Sequence, residues 1–134
     1  MIKRRAHELP KPTEAELDIL QVLWQRGPCT VREVHETLYR DEGAGYTTAL
    51  KLLQVMHGKG LVARDESQRA HVYRAFASKE STQREFLTDI VQRVFNGSAS
   101  DLVLQALGNN PRASRAELAE IRALLAKLEK GGRT

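Results

Sequence analysis

The side chains best suited to binding chemistry lie in a segment, 47–59, whose spacing predicts one amphipathic helix. Its apolar residues recur at i, i+3, i+4 and i+7 and predict a buried face: Ala49, Leu52, Leu53 and Met56. The opposite face is polar or small and carries Thr47, Lys51, Gln54 and Gly58. Tyr46 lies at its entry. Lysine pairs with guanine acceptors or phosphate, glutamine pairs with adenine, and glycine permits close approach. This face therefore suits the major groove of DNA, although many solvated helix faces contain the same residue types.

A second group of cations follows on a predicted β-hairpin. The strands are expected at 61–64 and 71–76, and the polar residues between them suit a hairpin tip. Arg64 and Arg74 are expected to alternate away from the apolar strand face, and Arg69 lies at the tip, as contacts with phosphates would require. An ordinary polar strand face is the alternative, because Asp65 and Glu66 reduce the positive charge there.

The sequence offers little for catalysis or metal binding. The four histidines are scattered, and none lies at metal-ligand spacing from another histidine or from the cysteine. Neither a glycine-rich phosphate loop nor a serine-nucleophile motif is present. We therefore expect a protein that is not an enzyme and that uses neither a cofactor nor a metal.

Cys29 is the single cysteine, which excludes an internal disulfide. It directly precedes the second predicted helix, whose N-terminal dipole would lower the pKa of the thiol. A redox switch at Cys29 is one hypothesis, and an inert cysteine in a turn is the favoured one.

Three helices are expected before the hairpin. Thr13 and Glu16 have the spacing of a capping box, and Thr30 and Glu33 repeat that spacing at the start of a second helix. Gly27-Pro28 is expected to separate the two helices, and the segment 41–45 is expected to form a loop before the third. Three helices followed by a hairpin is the order of a winged helix-turn-helix.

The remaining sequence predicts three more helices, at 82–95, at 98–107 and from Ser114 onward. They carry more apolar residues than three short helices could bury alone, and in the last helix these residues step by 3, 4 and 3, as in an a/d seam. We expect them to form a dimer, with packing on the same chain as the alternative: Phe86, Ile90, Val94, Leu102, Leu104, Leu118, Ile121, Leu125 and Leu128.

The predicted fold is therefore mainly α: a winged helix-turn-helix domain at 1–76 and a three-helix dimerisation region at 77–134. The 134 residues carry a formal net charge of +4, and each half contributes +2. Total charge thus does not identify a binding surface, which the fold must create. The N-terminal cations Lys3, Arg4 and Arg5 could form a basic arm, although a solvated terminus is the favoured alternative.

No apolar run approaches the length of a membrane span, and the N-terminus lacks the apolar stretch of a secretory signal. We therefore expect a cytoplasmic protein without direct membrane insertion.

Four segments in order resemble the BlaI/MecI penicillinase-repressor family. TEAELDIL at 13–20, followed by Leu23-Trp24, resembles its opening helix. YTTALKLLQVM at 46–56, then KGLV at 59–62, looks like its recognition helix and first wing strand. HVY at 71–73 looks like the second wing strand, and SDLVL at 100–104 like its C-terminal signature. Together they extend over most of the chain.

The resemblance implies a dimeric winged-helix repressor of resistance or stress genes that binds a palindromic operator. It implies DNA contacts on the recognition helix, including Thr48 beside Tyr46 and Thr47. In this family a membrane-bound sensor protease triggers cleavage of the repressor after a Leu-Val-Leu-Asn pattern. Here Leu-Val-Leu is followed by Gln105 and Ala106, so the scissile pair differs. The cysteine cluster of the copper-responsive branch is missing.

Two other functions remain open at this point. One is a winged-helix regulator that senses a small ligand or an oxidant directly, through a pocket between the halves or through Cys29. The other is a protein–protein adaptor that does not bind DNA, which a neutral potential over Lys51, Arg64, Arg69 and Arg74 would favour.

Overall fold

The computed structural model describes residues 11–39, 45–109 and 114–131. They form six helices and three strands: α1 (Glu14–Arg26), β1 (Cys29–Thr30), α2 (Val31–Leu38), α3 (Tyr46–Lys59), β2 (Val62–Asp65), β3 (Val72–Ala75), α4 (Lys79–Arg93), α5 (Ala99–Gly108) and α6 (Arg115–Gly131). This is a mainly-α winged helix, which confirms the predicted fold class.

Reciprocal capping bonds define the first two helix starts. The Glu16 amide donates to Thr13 Oγ1 at 3.2 Å, and the Thr13 amide donates to Glu16 Oε1 at 2.9 Å. The Glu33 amide donates to Thr30 Oγ1, and the Thr30 amide donates to Glu33 Oε1, at the same two distances. Each pair satisfies two amides that lack a partner within the helix. Both predicted capping boxes are confirmed.

Gly60 directs the chain from α3 into β2. Its φ of 84° lies in the left-handed region, which a residue without Cβ adopts at little cost. The Gly60 amide donates to the His57 carbonyl at 3.1 Å, and the Leu61 amide donates to the Met56 carbonyl at 2.9 Å. These bonds satisfy carbonyls at the end of α3 and begin the hairpin immediately after it.

The sheet has three antiparallel strands in the order β1-β3-β2, not the two strands of the predicted hairpin. β1 pairs Cys29 with Tyr73 and Thr30 with Val72. Two residues between a Gly-Pro turn and a helix cap are too few to show a strand's alternating pattern, so sequence analysis missed β1. The added strand makes β3 central and ties the hairpin to the start of α2.

One apolar core lies among α1, α2, α3 and the sheet. Tyr73 of the central strand is 1% exposed, and Ile19, Val34 and Leu53 are fully buried. The cluster consists of Ile19, Leu20, Val22, Leu23, Cys29, Val31, Val34, Ala49, Leu53, Met56, Leu61, Val62 and Tyr73. This core holds α3 by one face and leaves the other face exposed.

The chain divides into two compact units, Met1–Leu87 and Thr88–Thr134. Residues 76–87, which follow the sheet, belong to the first unit. Trp24 Nε1 donates to the Ala77 carbonyl at 3.0 Å, and the Lys11 ammonium lies 5.7 Å from the centre of the Phe86 ring. The boundary between these units falls within α4. The domain bounds expected from the sequence, 1–76 and 77–134, stay a prediction.

The helices after the sheet also begin at capping residues. α4 begins at Lys79, three residues before the predicted start at Thr82, because Ser78 Oγ accepts from the Ser81 amide at 3.1 Å. Ser98 and Ser114 cap α5 and α6 as expected, accepting from the Asp101 amide at 3.2 Å and the Glu117 amide at 3.1 Å. Neither α5 nor α6 contains a buried residue.

Candidate nucleic-acid interface

The polar face predicted for the third helix is exposed on α3. Thr47, Thr48, Lys51 and Gln54 are exposed, whereas Ala49, Leu53 and Met56 on the opposite face are fully buried. Leu52, predicted to face inward, is half-buried. The amphipathic character of α3 is thus confirmed, and its outer side chains are free to reach a partner.

Tyr46 lies at the N-terminus of this face. Its side chain is 48% exposed, and its ring packs edge-on against the His35 ring of α2, with the two centroids 6.3 Å apart. The N-cap residue Gly45 provides no side-chain acceptor for the first amides of α3. The start of the helix therefore presents an aromatic side chain and a positive dipole end to solvent.

Val55 and Gly58 complete the outer face of α3. Val55 is 43% exposed, an apolar surface that sequence analysis did not assign to the face. A Cβ added at Gly58 would meet no atom within 4 Å. No packing within the described chain therefore explains this helical glycine, which leaves a gap in the side-chain layer of the exposed face.

An ion pair joins the end of α3 to α1. Lys59 Nζ lies 2.8 Å from Glu16 Oε2 and 3.1 Å from Oε1. The Glu16 side chain is only 2% exposed, and that of Lys59 is 32% exposed. Lys59 is thereby committed to the fold. Sequence analysis missed this pair because 43 residues separate its members and Glu16 already had a capping role.

The environment of Glu16 stabilises its charged form. Burial alone would raise the pKa of this carboxyl, but hydrogen bonds from Lys59 and from the Thr13 amide, with the Lys59 charge, outweigh burial. The net result is a pKa below the ordinary value of 4.5. The pair therefore fixes the C-terminal end of α3 most firmly when both groups are ionised.

The strand register corrects the expected position of Arg64. Directly opposed residues of an antiparallel pair share one face, and here Arg64 opposes Tyr73 while Ala63 opposes Arg74. Arg64 therefore lies on the face of the buried Tyr73, and Arg74 lies on the other face, where it is exposed. The prediction that both arginines point away from the apolar face is wrong for Arg64. Their role in DNA binding stays a prediction.

Arg64 is also occupied by partners within the hairpin. Its Nε and Nη2 donate to Glu66 Oε2 at 3.2 and 3.1 Å. Hydrogen bonds to Tyr73 and then to Glu66 raise the pKa of the guanidinium further above its ordinary value. Arg69, at the tip, and Arg74 are exposed and have no ion pair among the described residues. The latter two are the more accessible cations of this surface.

Cys29 lies in an environment that keeps its thiol protonated. Its side chain is 1% exposed in β1, and Sγ donates to the Gly27 carbonyl at 3.3 Å. Burial first, and then the negative charge of Glu33, raise the pKa of the thiol. This is opposite to the lowering expected from a helix dipole. A buried thiol with a raised pKa is a poor nucleophile, which argues against Cys29 as an oxidant sensor.

The residues assigned to dimerisation differ in exposure. Phe86, Leu102, Leu118 and Ile121 are half-buried. Five are exposed: Ile90, Val94, Leu104, Leu125 and Leu128. Leu124, which was not assigned, is 56% exposed on α6. Gln105 and Ala106 are exposed on α5. The second unit therefore presents apolar side chains without a partner inside the described chain.

Neither a metal-binding cluster nor a membrane-spanning helix is found in the part of the chain that the structure describes. No cluster of three or more His, Cys, Asp or Glu in residues 11–39, 45–109 and 114–131 could hold a metal ion. Within the same ranges, no helix has the length and apolarity needed to span a membrane. The possible basic arm, Lys3, Arg4 and Arg5, lies outside the described residues.

Comparison with known proteins agrees with the resemblance seen in the sequence. A family model described as Penicillinase repressor matches residues 12–127. Transcriptional regulator BlaI of Mycobacterium tuberculosis (strain CDC 1551 / Oshkosh) is 28% identical over 125 residues, which are 92% of this chain and 89% of that protein. The BlaI sequence of strain ATCC 25618 / H37Rv matches to the same extent.

Two solved structures also align with this chain. A MarR family protein from Bacillus stearothermophilus gives a TM-score of 0.46 at 24% identity, over 91% of this chain and 76% of that chain. Bordetella bronchiseptica BpsR, whose DNA binding is regulated by 6-hydroxynicotinic acid, gives 0.42 at 18% identity, over 91% and 79%. The family match, which extends over most of the sequence, decides the assignment: the chain is a transcriptional regulator, not an enzyme, and belongs to the penicillinase repressor family.

Proposed function

We propose that this regulator represses transcription as a homodimer on a palindromic operator. Each copy inserts α3 into the major groove and places the hairpin of β2 and β3 on neighbouring phosphates. The observation that carries the proposal is the exposed face of Thr47, Lys51 and Gln54 on a helix whose other face is fully buried. The second helix of a helix-turn-helix pair is the one that enters the groove.

The contacts divide into two kinds. Thr47, Thr48, Lys51 and Gln54 carry donors and acceptors for base edges, and Tyr46 adds an aromatic contact at the start of the helix. Arg69 and Arg74 bind phosphates. Arg64 contributes positive charge to the hairpin but must share its guanidinium with Glu66 and Tyr73. Sequence specificity therefore comes from α3, and the arginines strengthen binding to any sequence.

Dimerisation makes a weak module into a strong repressor. The apolar side chains of α5 and α6 that remain exposed in one chain become buried against a second copy. Once one α3 has bound its half-site, the other binds at a high effective concentration. Through dimerisation, two small DNA interfaces thus act together and give the affinity of one large interface. A cytoplasmic repressor of resistance or stress genes fits this arrangement.

Proteolysis within α5 is the route of relief that we propose. Gln105 and Ala106 are exposed, and α5 contains no buried residue whose loss would oppose local unfolding. A membrane-bound sensor protease, or a protease downstream of it, would cut between Gln105 and Ala106. The cut would detach α6 from the DNA-binding unit. Mass spectrometry of the repressor from induced cells should show a fragment ending at Gln105. An intact chain on derepressed promoters would contradict this route.

Lys51→Ala and Arg69→Ala test the proposed DNA-binding surface, which consists of the outer face of α3 and the hairpin. Both should lower affinity for the operator without altering thermal stability, because both side chains are exposed. We expect Lys51→Ala to weaken specific binding about tenfold or more per half-site, a loss typical of a base contact. Arg69→Ala should weaken binding to all sequences and reduce the salt slope by about one per copy. Gel shifts over a range of salt concentrations measure both effects.

Matched substitutions outside the surface provide the controls. Lys130→Ala on α6 and Arg84→Ala on α4 each remove one exposed cation and should leave operator affinity within twofold of wild type. Unchanged affinity in both Lys51→Ala and Arg69→Ala would place DNA binding on another surface. Equal losses of operator affinity in all four variants would show a general effect of charge and no specific DNA-binding surface.

Gly58→Ala separates stability from binding. The added methyl group has open space within the protein and replaces a helical glycine, so the free energy of unfolding should rise by about 0.5–1 kcal/mol. Operator affinity should fall several-fold, because the methyl group stands where the helix backbone approaches the groove. Thermal melts and gel shifts give the two readouts. Gly108→Ala, at the end of α5, is the control and should leave operator affinity unchanged. Unchanged or increased operator affinity in Gly58→Ala would contradict a close approach of the helix backbone to the groove.

A further inference from the structure

We propose that Val55 determines operator specificity by contacting the C5-methyl group of a thymine in each half-site. This inference rests on the proposed DNA-binding function and extends it to one base position. Val55 is an aliphatic side chain left exposed on the outer face of α3, with 43% of its surface accessible. Its neighbours on that face, Lys51 and Gln54, offer polar contacts to base edges, whereas its own chemistry offers none.

No packing among the described residues accounts for an apolar residue at this position. The core cluster contains the neighbouring Met56 and Leu53 but does not contain Val55. Valine also has a lower helix propensity than lysine, glutamine or alanine, so it does not favour α3 at a solvated site. A partner that covers the side chain gives it a function.

The geometry of the helix places Val55 on the same face of α3 as the proposed base contacts. It lies one turn after Lys51 and one turn before Gly58, so all three project toward the same side of α3. Its branched Cβ restricts χ1 in a helix essentially to one rotamer, and the two methyl groups therefore point in a defined direction. The open surface at Gly58 lets the backbone approach and brings these methyl groups near the base edges.

Thymine is the base with a matching group. In the major groove it presents an O4 acceptor and the C5-methyl group, and the latter is the apolar feature read by small apolar side chains. Burying one methyl group stabilises a contact enough to change affinity about fourfold. Two symmetry-related half-sites therefore change it about 15-fold. This discrimination adds to that of the polar contacts of Lys51 and Gln54.

Deoxyuridine substitution tests the proposal, because it removes only the methyl group. The operator is first selected from a random duplex library with the wild-type chain. Each thymine is then replaced by deoxyuridine, symmetrically in both half-sites, and the dissociation constants of wild type, Val55→Ala and Val55→Thr are measured. At one thymine, the replacement should lower the affinity of wild type about 15-fold. Val55→Ala should bind the thymine and deoxyuridine operators with equal affinity. Val55→Thr, which keeps one methyl group, should show an intermediate sensitivity to the replacement.

The outcomes distinguish this inference from the proposed function. If no thymine is sensitive to the loss of its methyl group, or if Val55→Ala is as sensitive as wild type, Val55 does not read thymine. If Lys51→Ala still weakens binding in that case, the proposed function stands. A chain that selects no sequence from the library would overturn both. Circular dichroism of Val55→Ala checks that α3 remains helical.

Discussion

Replacing Lys59 with methionine should lower the free energy of unfolding by about 3 kcal/mol at neutral pH. The substitution leaves the Glu16 carboxylate, 2% exposed, without the ammonium group that lies 2.8 Å from its Oε2. Methionine retains most of the apolar stem of lysine, so the loss reports on the charge. The hydrogen bond from the Thr13 amide to Glu16 remains. Urea unfolding followed by the fluorescence of Trp24, the single tryptophan, measures the change.

The two members of the pair should not be equivalent. Glu16→Gln should cost less, about 1 kcal/mol, because Lys59 is 32% exposed and can solvate its charge. The double variant should resemble Glu16→Gln, since it contains no buried charge. Lys51→Met, on the same helix but with an exposed lysine, is the stability control. If Lys59→Met were no more harmful than Glu16→Gln, the buried carboxylate would not dominate the energetics of the pair.

The deficit of Lys59→Met should also depend on pH. In wild type the pKa of Glu16 is lowered, so its ion pair stabilises the fold above the ordinary value of 4.5 and is lost as the pH falls through the folded value. Without Lys59, burial raises the pKa of Glu16, and the carboxyl therefore takes up a proton at a higher pH than in wild type. The stability difference between the two proteins should therefore shrink from pH 7 to about pH 4. A constant difference would contradict this account.

Replacing Leu125 with aspartate should reduce operator affinity by about two orders of magnitude or more. In one chain Leu125 is 49% exposed, and its neighbours Leu124 and Leu128 are 56% and 60% exposed. An ionised carboxylate among them cannot be buried against a second copy without a large desolvation cost. The variant should sediment as a monomer, and each α3 would then bind a half-site without the benefit of linkage.

Ala123→Asp is the matched control for this prediction. It introduces the same charge on the opposite side of α6, at an exposed position outside the proposed seam. It should remain a dimer and bind the operator as wild type does. If Leu125→Asp still sedimented as a dimer, the seam assigned to Leu118, Ile121, Leu125 and Leu128 would be wrong. Loss of the dimer with unchanged affinity would contradict the role of linkage.

Local sequence signals predicted the helices and the exposed face of α3 well. The capping boxes at Thr13 and Thr30 set the starts of α1 and α2, because a cap depends on residues only three positions apart. The periodicity of Ala49, Leu53 and Met56 likewise determines which side of α3 is exposed. The same signals supported the family resemblance, since its motifs are short and ordered along the chain.

The orientation, pairing and pKa of side chains that depend on distant partners were decided only by tertiary structure. Arg64 changes face because the register with Tyr73 sets its direction, and a register cannot be derived from one strand. Lys59 is held by Glu16 across 43 residues. Cys29 has a raised pKa because β1 buries it in the core. The sequence by itself thus determined the helices, the hairpin and the polar face of α3, but not β1. Only packing decided which charged and reactive groups remain available, because burial and pairing join residues far apart in the chain.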